Sequence, residues 1–459
     1  MKRIFLIPAA ALALVSCKEY LDIQPYGQAI PKTADEFSSL LNSTLNKIDY
    51  GEEDIVGNVS SVMEYECFAD NLEANLTSYP EGNKLLLYVG SNLSMQQQVY
   101  QSLYSTIRDC NITIGELKER DTRLGRDVLG TAYALRGVCY YELMRRFCPA
   151  YDPSAGEQLG LPLVTEFDME AKPLRSTLAQ TADRVIEDLK KAVEYDIQDE
   201  IYRFDNDVAK GYLARACFWT GRYAEAIPYA AEVLEKYPLL GGEAYRTMME
   251  SQIQKKGNTL FKAEILTSGD GSGLEGLKKY LRARPVSSRF LELFPEKSRD
   301  IRYQLSVGPE RKNRKNIFAS LRSAEMCLIL AESYYHAGDE DRALEYLNLL
   351  RRHRIEGVAD YTASTLPSVN PNERIKVDAA GNPLTPLLYA ILSERRKEFY
   401  LENGDRWFEL KRNGSPEFWV AQSGLKYTTE KFMYTFPIYI RDVLLVDGMI
   451  QNPGYENIE

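Results

Sequence analysis

Histidine is nearly absent from this chain of 459 residues, which has only His336 and His353. Two histidines cannot supply a multi-histidine metal cluster, and none of the seven cysteines stands in C-x-x-C spacing, so neither a zinc centre nor any other metal site is expected. No G-x-S-x-G, H-E-x-x-H, P-loop or G-x-G-x-x-G motif opens a catalytic context, and no cofactor is expected. The segment GDGSGLEG at 269–276 lacks the Gly-Lys-Ser/Thr ending of a phosphate loop and reads as a flexible turn. Basic charge is also in deficit. A net charge of −10 disfavours nucleic acid as a partner, and the local run Arg311, Lys312, Arg314, Lys315 reads as a solvated loop. Past the N-terminus, no segment approaches the roughly 20 apolar residues that a membrane helix needs.

The N-terminus itself is a targeting segment. Met1-Lys2-Arg3 is basic, an apolar run follows, and Leu14-Val15-Ser16-Cys17 closes it. That ending resembles a bacterial lipobox, which implies that residues 1–17 form a signal and that Cys17 is the acylated first residue of the mature protein. Acyl chains contribute about 0.8 kcal/mol per buried CH₂, so several of them hold a protein firmly to a membrane surface. Lys18-Glu19-Tyr20-Leu21-Asp22 resembles the signal that sends such lipoproteins to the outer face of the outer membrane. Six cysteines remain. Cys139, Cys217 and Cys327 fall inside apolar helical patterns where a reduced thiol packs as a small hydrophobe.

What the chain does have is helical periodicity. In residues 209–238, Leu213, Ala214, Gly221, Tyr223, Ala226 and Pro238 occupy tetratricopeptide positions, where two antiparallel helices need long, small, turn and stop residues. Leu330, Ala331, Tyr334, Gly338, Ala343 and Leu347 repeat the pattern, too far downstream for the usual period of about 34 residues, so the array is interrupted. A split third unit is predicted from Ala132, Leu135, Cys139, Leu143 and Phe147 on one helix and a capped helix over 177–195, with an extended piece at 159–164 between them. Repeat segments therefore lie near 126–238 and 322–412. Residues 50–93, before the first segment, and 241–320, between the two, are loop-rich insertions, and long irregular insertions in a compact protein are commonly functional. Amphipathic helices are also predicted over 33–48 and 94–120.

The densest pattern is ILSERRKEFYLENGDRWFELKRNG, residues 391–414. Apolar and oppositely charged residues interleave here, and Asn403-Gly404 is a helix stop, so the spacing predicts a helix to about Glu402, a turn, and a second short helix carrying Arg406 to Arg412. A structural ion-pair network, with the guanidiniums paired where the segment docks against other helices, explains Glu394, Arg395, Arg396, Glu398, Arg406 and Trp407 better than an active site does. The stretch resembles the C-terminal signature of the SusD/RagB family, E-R-R-x-E-(L/F)-x-x-E-G-x-R-W-x-D-L-x-R, with Asn403 as an extra residue and Glu409 in place of the aspartate. Leu135, Arg136, Tyr140, Pro162, Leu163, Asp188 and the tail Gln451-Asn452-Pro453-Gly454-Tyr455 also resemble that family.

The resemblance implies an all-α fold, with tetratricopeptide-like helix pairs and insertions forming a single SusD-like domain over 18–459. It further implies a cell-surface lipoprotein that is no enzyme, captures oligosaccharide and passes it to a SusC-like TonB-dependent transporter. A repeat scaffold binding a protein or peptide is the alternative, and a surface hydrolase comes third. Sugar rings present apolar faces and polar edges, so their site needs aromatic rings beside amides and charges. Candidates are Tyr65, Phe68, Asp70, Asn71 and Tyr79 in the first insertion and Tyr280, Arg282 and Arg284 in the second. Asp70, Asn71, Tyr79, Tyr280 and Arg282 form the preferred set. Trp219 and Trp407 are assigned to core, and the repeat face is expected to carry the protein contact.

Overall fold

The computed structural model describes residues 31–49, 54–56, 59–73, 89, 93–152, 154, 156–198, 204–250, 259–264, 284–315, 317–422 and 425–456. Cys17, Tyr79, Tyr280 and Arg282 lie outside them. Four helices come first: α1 (Ala34–Asp49), α2 (Val59–Phe68), α3 (Leu93–Glu116) and α4 (Arg123–Phe147). Strands β1 (Leu159–Pro162) and β2 (Arg175–Thr177) precede α5 (Leu178–Tyr195), α6 (Asn206–Trp219), α7 (Tyr223–Lys236) and α8 (Gly242–Glu250). Next come β3 (Thr259–Glu264), the short helices α9 (Ser288–Leu291) and α10 (Ile301–Ser306), and β4 (Phe318–Arg322). The chain continues through α11 (Ser323–His336), α12 (Glu340–Arg354), α13 (Pro386–Glu398) and α14 (Asp405–Arg412), and closes with β5 (Phe418–Gln422), β6 (Leu425–Thr429) and α15 (Ile440–Leu445). The fold is all-α, and among the described residues the strands form only isolated antiparallel pairs, β1 with β2, β3 with β4 and β5 with β6.

Local signals explain the helix boundaries. Thr122 and Asp205 cap α4 and α6 through side-chain oxygens that accept backbone N–H groups, and Thr177 and Gln180 form a reciprocal capping box at the start of α5. The tetratricopeptide turns rest on Gly221 and Gly338, both in the left-handed region at φ 69° and 81°, where a side chain is disfavoured. The extended segment expected at 159–164 is β1, and its antiparallel partner β2 leads directly into α5.

Helix pairs α4–α5, α6–α7 and α11–α12 stack side by side, with α7 packed on α11 across the interruption in sequence. Polar clamps fix the α4–α5 pair and tie α6 to α11. Arg136 on α4 donates to both oxygens of Asp188 on α5 at 2.8 and 2.7 Å, and Arg215 on α6 donates to both oxygens of Glu325 on α11 at 2.7 and 2.6 Å. The family-like tail closes over the end of α4, where Asn452 donates to the carbonyls of Phe147 and Phe436 at 2.8 and 2.6 Å. Cys67, Cys110, Cys139, Cys148, Cys217 and Cys327 are all buried and unbridged. Trp407 is fully buried, whereas Trp219 is half-buried against the core and Trp419 is exposed.

The signature departs from expectation at one point. α13 ends at Glu398, not Glu402, because Leu401, Asn403 and Gly404 all adopt positive φ, at 57°, 58° and 65°. At Gly404 the position is doubly restrictive, since a Cβ there would lie 2.6 Å from Tyr65 Cδ2. The turn thus presses backbone directly against an aromatic ring, and only glycine permits both the conformation and the approach.

Candidate functional site

The two insertions meet. Leu72 pairs with Val286 in an isolated antiparallel bridge, Glu73 N donates to Pro285 O at 2.8 Å, and Ser287 N donates to Asn71 O at 2.8 Å. Ser287 Oγ donates to Asp70 O at 2.8 Å, and Arg311 donates to Glu73 Oε1 at 2.8 Å. Val62, Met63, Cys67 and Leu72 from the first insertion form a second small core with Val286, Phe290, Phe294 and Ile317 from the other, sealed by Tyr400 and Leu401 of the signature turn. Both insertions are therefore seated on one element.

A lattice of buried charge lies beneath this junction. Arg406 donates through Nε to Asp70 Oδ1 at 2.7 Å and through Nη2 to Asp70 Oδ2 at 3.1 Å, and the same Nη2 reaches Glu373 Oε1 at 2.6 Å. Arg396 donates to Asn71 Oδ1 at 2.7 Å, to Asp70 O at 3.1 Å and to Glu373 Oε2 at 3.1 Å. Burial pushes the Asp70 carboxyl up, but Arg396 and Arg406 outweigh it and hold the group well below the usual carboxylate range. Glu373 is likewise raised by burial, then drawn down to about 2 by Arg406 and Arg396.

The rest of the signature is engaged in the same way. Glu398 accepts from Arg354 at 2.9 Å and from Arg322 at 2.6 Å, while Glu402 accepts from Arg322 at 2.7 Å and also from the hydroxyl of Ser320. Arg395 pairs with Asp405 at 2.9 Å and Glu409 at 3.3 Å. All these groups are buried, and removing one partner of such a pair leaves a charge without compensation. The lattice ties the signature turn to the insertions above it.

This arrangement corrects two of the preferred ligand-binding residues. Asp70 and Asn71 are 4% and 0% exposed. Asp70 is consumed by Arg396 and Arg406, and Asn71 donates to Glu66 at 2.7 Å while accepting from Arg396, so neither presents a polar atom to a ligand hydroxyl. Tyr65 and Phe68 are buried in the aromatic core beside Phe408 and Trp407, and Arg284 is buried against the carbonyls of Glu73 and Cys67. The basic run is not uniformly solvated either, because the Lys315 amine is buried 3.4 Å from Glu402.

Sequence reasoning missed an open groove of about 430 Å³ lined by Tyr100, Tyr104, Arg108, Lys172, Tyr439 and Asp442. Tyr100 and Tyr439 stack at 6.3 Å, and the Tyr104 hydroxyl donates to Pro162 O at 2.8 Å. Its rings come from α3 and the segment before α15, and no local pattern joins those two segments. Among the described residues no cluster of His, Cys, Asp or Glu is arranged to hold a metal ion, and no helix is long and apolar enough to cross a membrane.

Stacked helix pairs carrying two seated insertions define a tetratricopeptide-like helical protein. Residues 19–236 match a SusD-like family model described as starch-binding associating with outer membrane, and residues 294–455 match the model of the SusD family. The chain belongs to the SusD/RagB family, which is associated with the outer membrane. Solved structures share the fold at low identity. A SusD superfamily protein from Bacteroides thetaiotaomicron VPI-5482 aligns with a TM-score of 0.67 and 20% identity, over 92% of this chain and 100% of that one. A SusD-like carbohydrate binding protein from Bacteroides vulgatus ATCC 8482 gives 0.66 and 18%, over 91% and 98%. Surface glycan-binding protein A from Bacteroides fluxus gives 0.64 and 16%, over 93% and 100%. No curated protein matches the chain.

Proposed function

We propose that this protein is a lipid-anchored binding protein of the outer membrane that captures oligosaccharide for a SusC-like TonB-dependent transporter, with no catalytic step of its own. The observation that carries the proposal is the junction of the two insertions. Binding loops are most effective when a rigid scaffold positions them, and here one buried lattice seats both insertions side by side. The names borne by two of the similar structures, a carbohydrate binding protein and a surface glycan-binding protein, support the ligand class. In this reading Tyr79, Tyr280 and Arg282 are the ligand-facing members of the insertions, and Cys17 carries the anchor.

A protein contact is supported by a separate observation. Among the described residues the exposed large hydrophobics are Phe167, Met169, Leu174, Trp419, Leu444, Leu445 and Ile450. Most belong to the α4–α5 connection and to the tail, which touch where Arg175 donates to Ile450 O at 3.1 Å. Clustered exposed apolar side chains mark interaction surfaces. The transporter contact is therefore proposed at this edge, not on the helical faces of the repeats. The test is a screen of the protein lacking residues 1–17 against glycans and peptides, with detergent extraction of the full chain alongside. Saturable glycan binding and co-purification with a large outer-membrane barrel are expected. Binding of peptides alone would favour a protein-binding scaffold.

A further inference from the structure

A second cavity, of about 200 Å³, opens between α8 and α10 and has no part in the reading above. Its charged lining is one-sided: among the described residues Arg246, Arg302, Arg314, Lys315 and Lys397 face it, with Glu250 as the single acid. The carboxylates behind this wall are already divided among several cations. Glu398 serves Arg322, Arg354 and Arg302, Glu402 serves Arg322 and Lys315, and Glu394 serves Lys397, Arg302 and Arg351. Asp300 is shared by Arg302 at 2.7 Å and Lys397 at 4.0 Å.

Arg302 and Lys397 are themselves closely paired, but the rim cations Arg246 and Arg314 are held loosely or not at all by carboxylates of the described residues. Arg302 is buried and held by Asp300 and Glu394 at 2.7 Å each, while its Nη1 makes no hydrogen bond and stands 3.5 Å from Glu398. Arg314, at the exposed rim, has no ion-pair partner among the described residues. Arg246 touches Glu243 and Glu250 only loosely, at 3.5 and 3.8 Å, and donates to Gln304 at 2.6 Å. Burial draws the Lys315 amine below its ordinary value even with Glu402 beside it, so a further negative charge nearby is favoured. Arginine forks and lysine amines on one concave wall match the geometry of carboxylate, sulfate and phosphate groups.

We propose that this cavity is an oxyanion-binding site, sized for a single carboxylate, sulfate or phosphate group rather than for a whole oligosaccharide. The group comes either from a free inorganic anion or from an acidic sugar. The site does not depend on the proposed capture of oligosaccharide at the insertions, and either can fail without the other.

The test is calorimetry on the protein lacking residues 1–17, with phosphate, sulfate, galacturonate and glucose as probes at matched ionic strength. An Arg246→Ala/Arg314→Ala variant is run in parallel. Both substitutions lie at the rim, outside the buried lattice, and leave the fold intact, which thermal melting checks. Saturable binding of at least one anion, weakened tenfold or more in the variant, with glucose silent, is the expected result. Competition then identifies the source: displacement of phosphate by galacturonate assigns the site to an acidic sugar, and phosphate or sulfate binding without such displacement assigns it to the free ion. No anion binding by the intact protein, or equal binding by the variant, overturns the proposal.

Discussion

Trp407 lies flat on Tyr434, with ring centroids 4.3 Å apart and 15° between the planes, and Phe68 meets its other surroundings edge-on at 5.5 Å. The indole thereby joins the signature helix to the tail and to the end of the first insertion's helix. Trp407→Ala is expected to cost about 3–5 kcal/mol, the range for deleting a fully buried aromatic. Denaturant unfolding measures the loss. Glycan affinity of the fraction that stays folded should be unchanged, since the ring touches no exposed surface.

Asp70→Ala removes the shared partner of Arg396 and Arg406. Stranding buried guanidiniums is expected to destabilise by about 3–5 kcal/mol, more than a surface ion pair contributes. Chemical denaturation of the variant reads this directly. An effect below about 1 kcal/mol would show that the pair is solvated.

The same lattice sets an acid limit. Glu373 and Glu394, raised by burial but pulled down further by Arg406 and Arg396 and by Arg302 and Lys397 respectively, reach about 2 against an ordinary 4.5. A carboxyl with a lowered folded-state pKa contributes its full stability above the unfolded value and loses it as pH falls toward the folded value. Melting temperature should therefore decline between about pH 4.5 and pH 2. Glu394→Gln should flatten part of that decline while lowering stability at neutral pH.

Lys411 gives a slope of the same sign in the alkaline range, but from a destabilising burial of charge. It is buried, donates to the carbonyls of Arg145 and Cys148 at 2.7 and 2.6 Å, and burial draws its amine from 10.5 down to about 7. Between those values the unfolded chain holds a proton that the folded chain does not, so stability should rise as pH increases from about 7 to 10.5. Lys411→Met is expected to abolish that slope, measured as melting temperature across the alkaline range.

Tyr79→Ala and Tyr280→Ala test the proposed ligand face. Loss of a stacking ring should weaken glycan binding by about 1–3 kcal/mol with little change in melting temperature, the reverse of Trp407→Ala. Titration calorimetry and thermal melting separate the two effects.

The repeats were legible because their determinants are local: Leu213 and Gly221, or Leu330 and Gly338, fall within one helix pair and carry the pattern by themselves. Asp70 was misread for the opposite reason. Its neighbours in sequence are polar and suggest a solvated loop, while the arginines that claim it stand on α13 and α14. Lys315 was misread likewise, since a basic run looks solvated until Glu402 is brought against it. The signature was legible as a network because alternating charges among large aromatics suit no exposed helix, although the left-handed turn that shortens α13 depends on Tyr65, far away in sequence. The groove at Tyr100 and Tyr439 had no local signal at all.

The bond between Asp70 and Arg406 spans 336 residues. A chain delivered from its N-terminus presents the aspartate early and the arginine near the end, so the first insertion has no seat until almost all of the polypeptide has arrived. Contacts of such long separation make slow steps in folding. The helix pairs can assemble as they emerge, but the lattice beneath the junction of the insertions closes only once Arg406 arrives, and a chain stopped short of it would keep its repeats and lose that support.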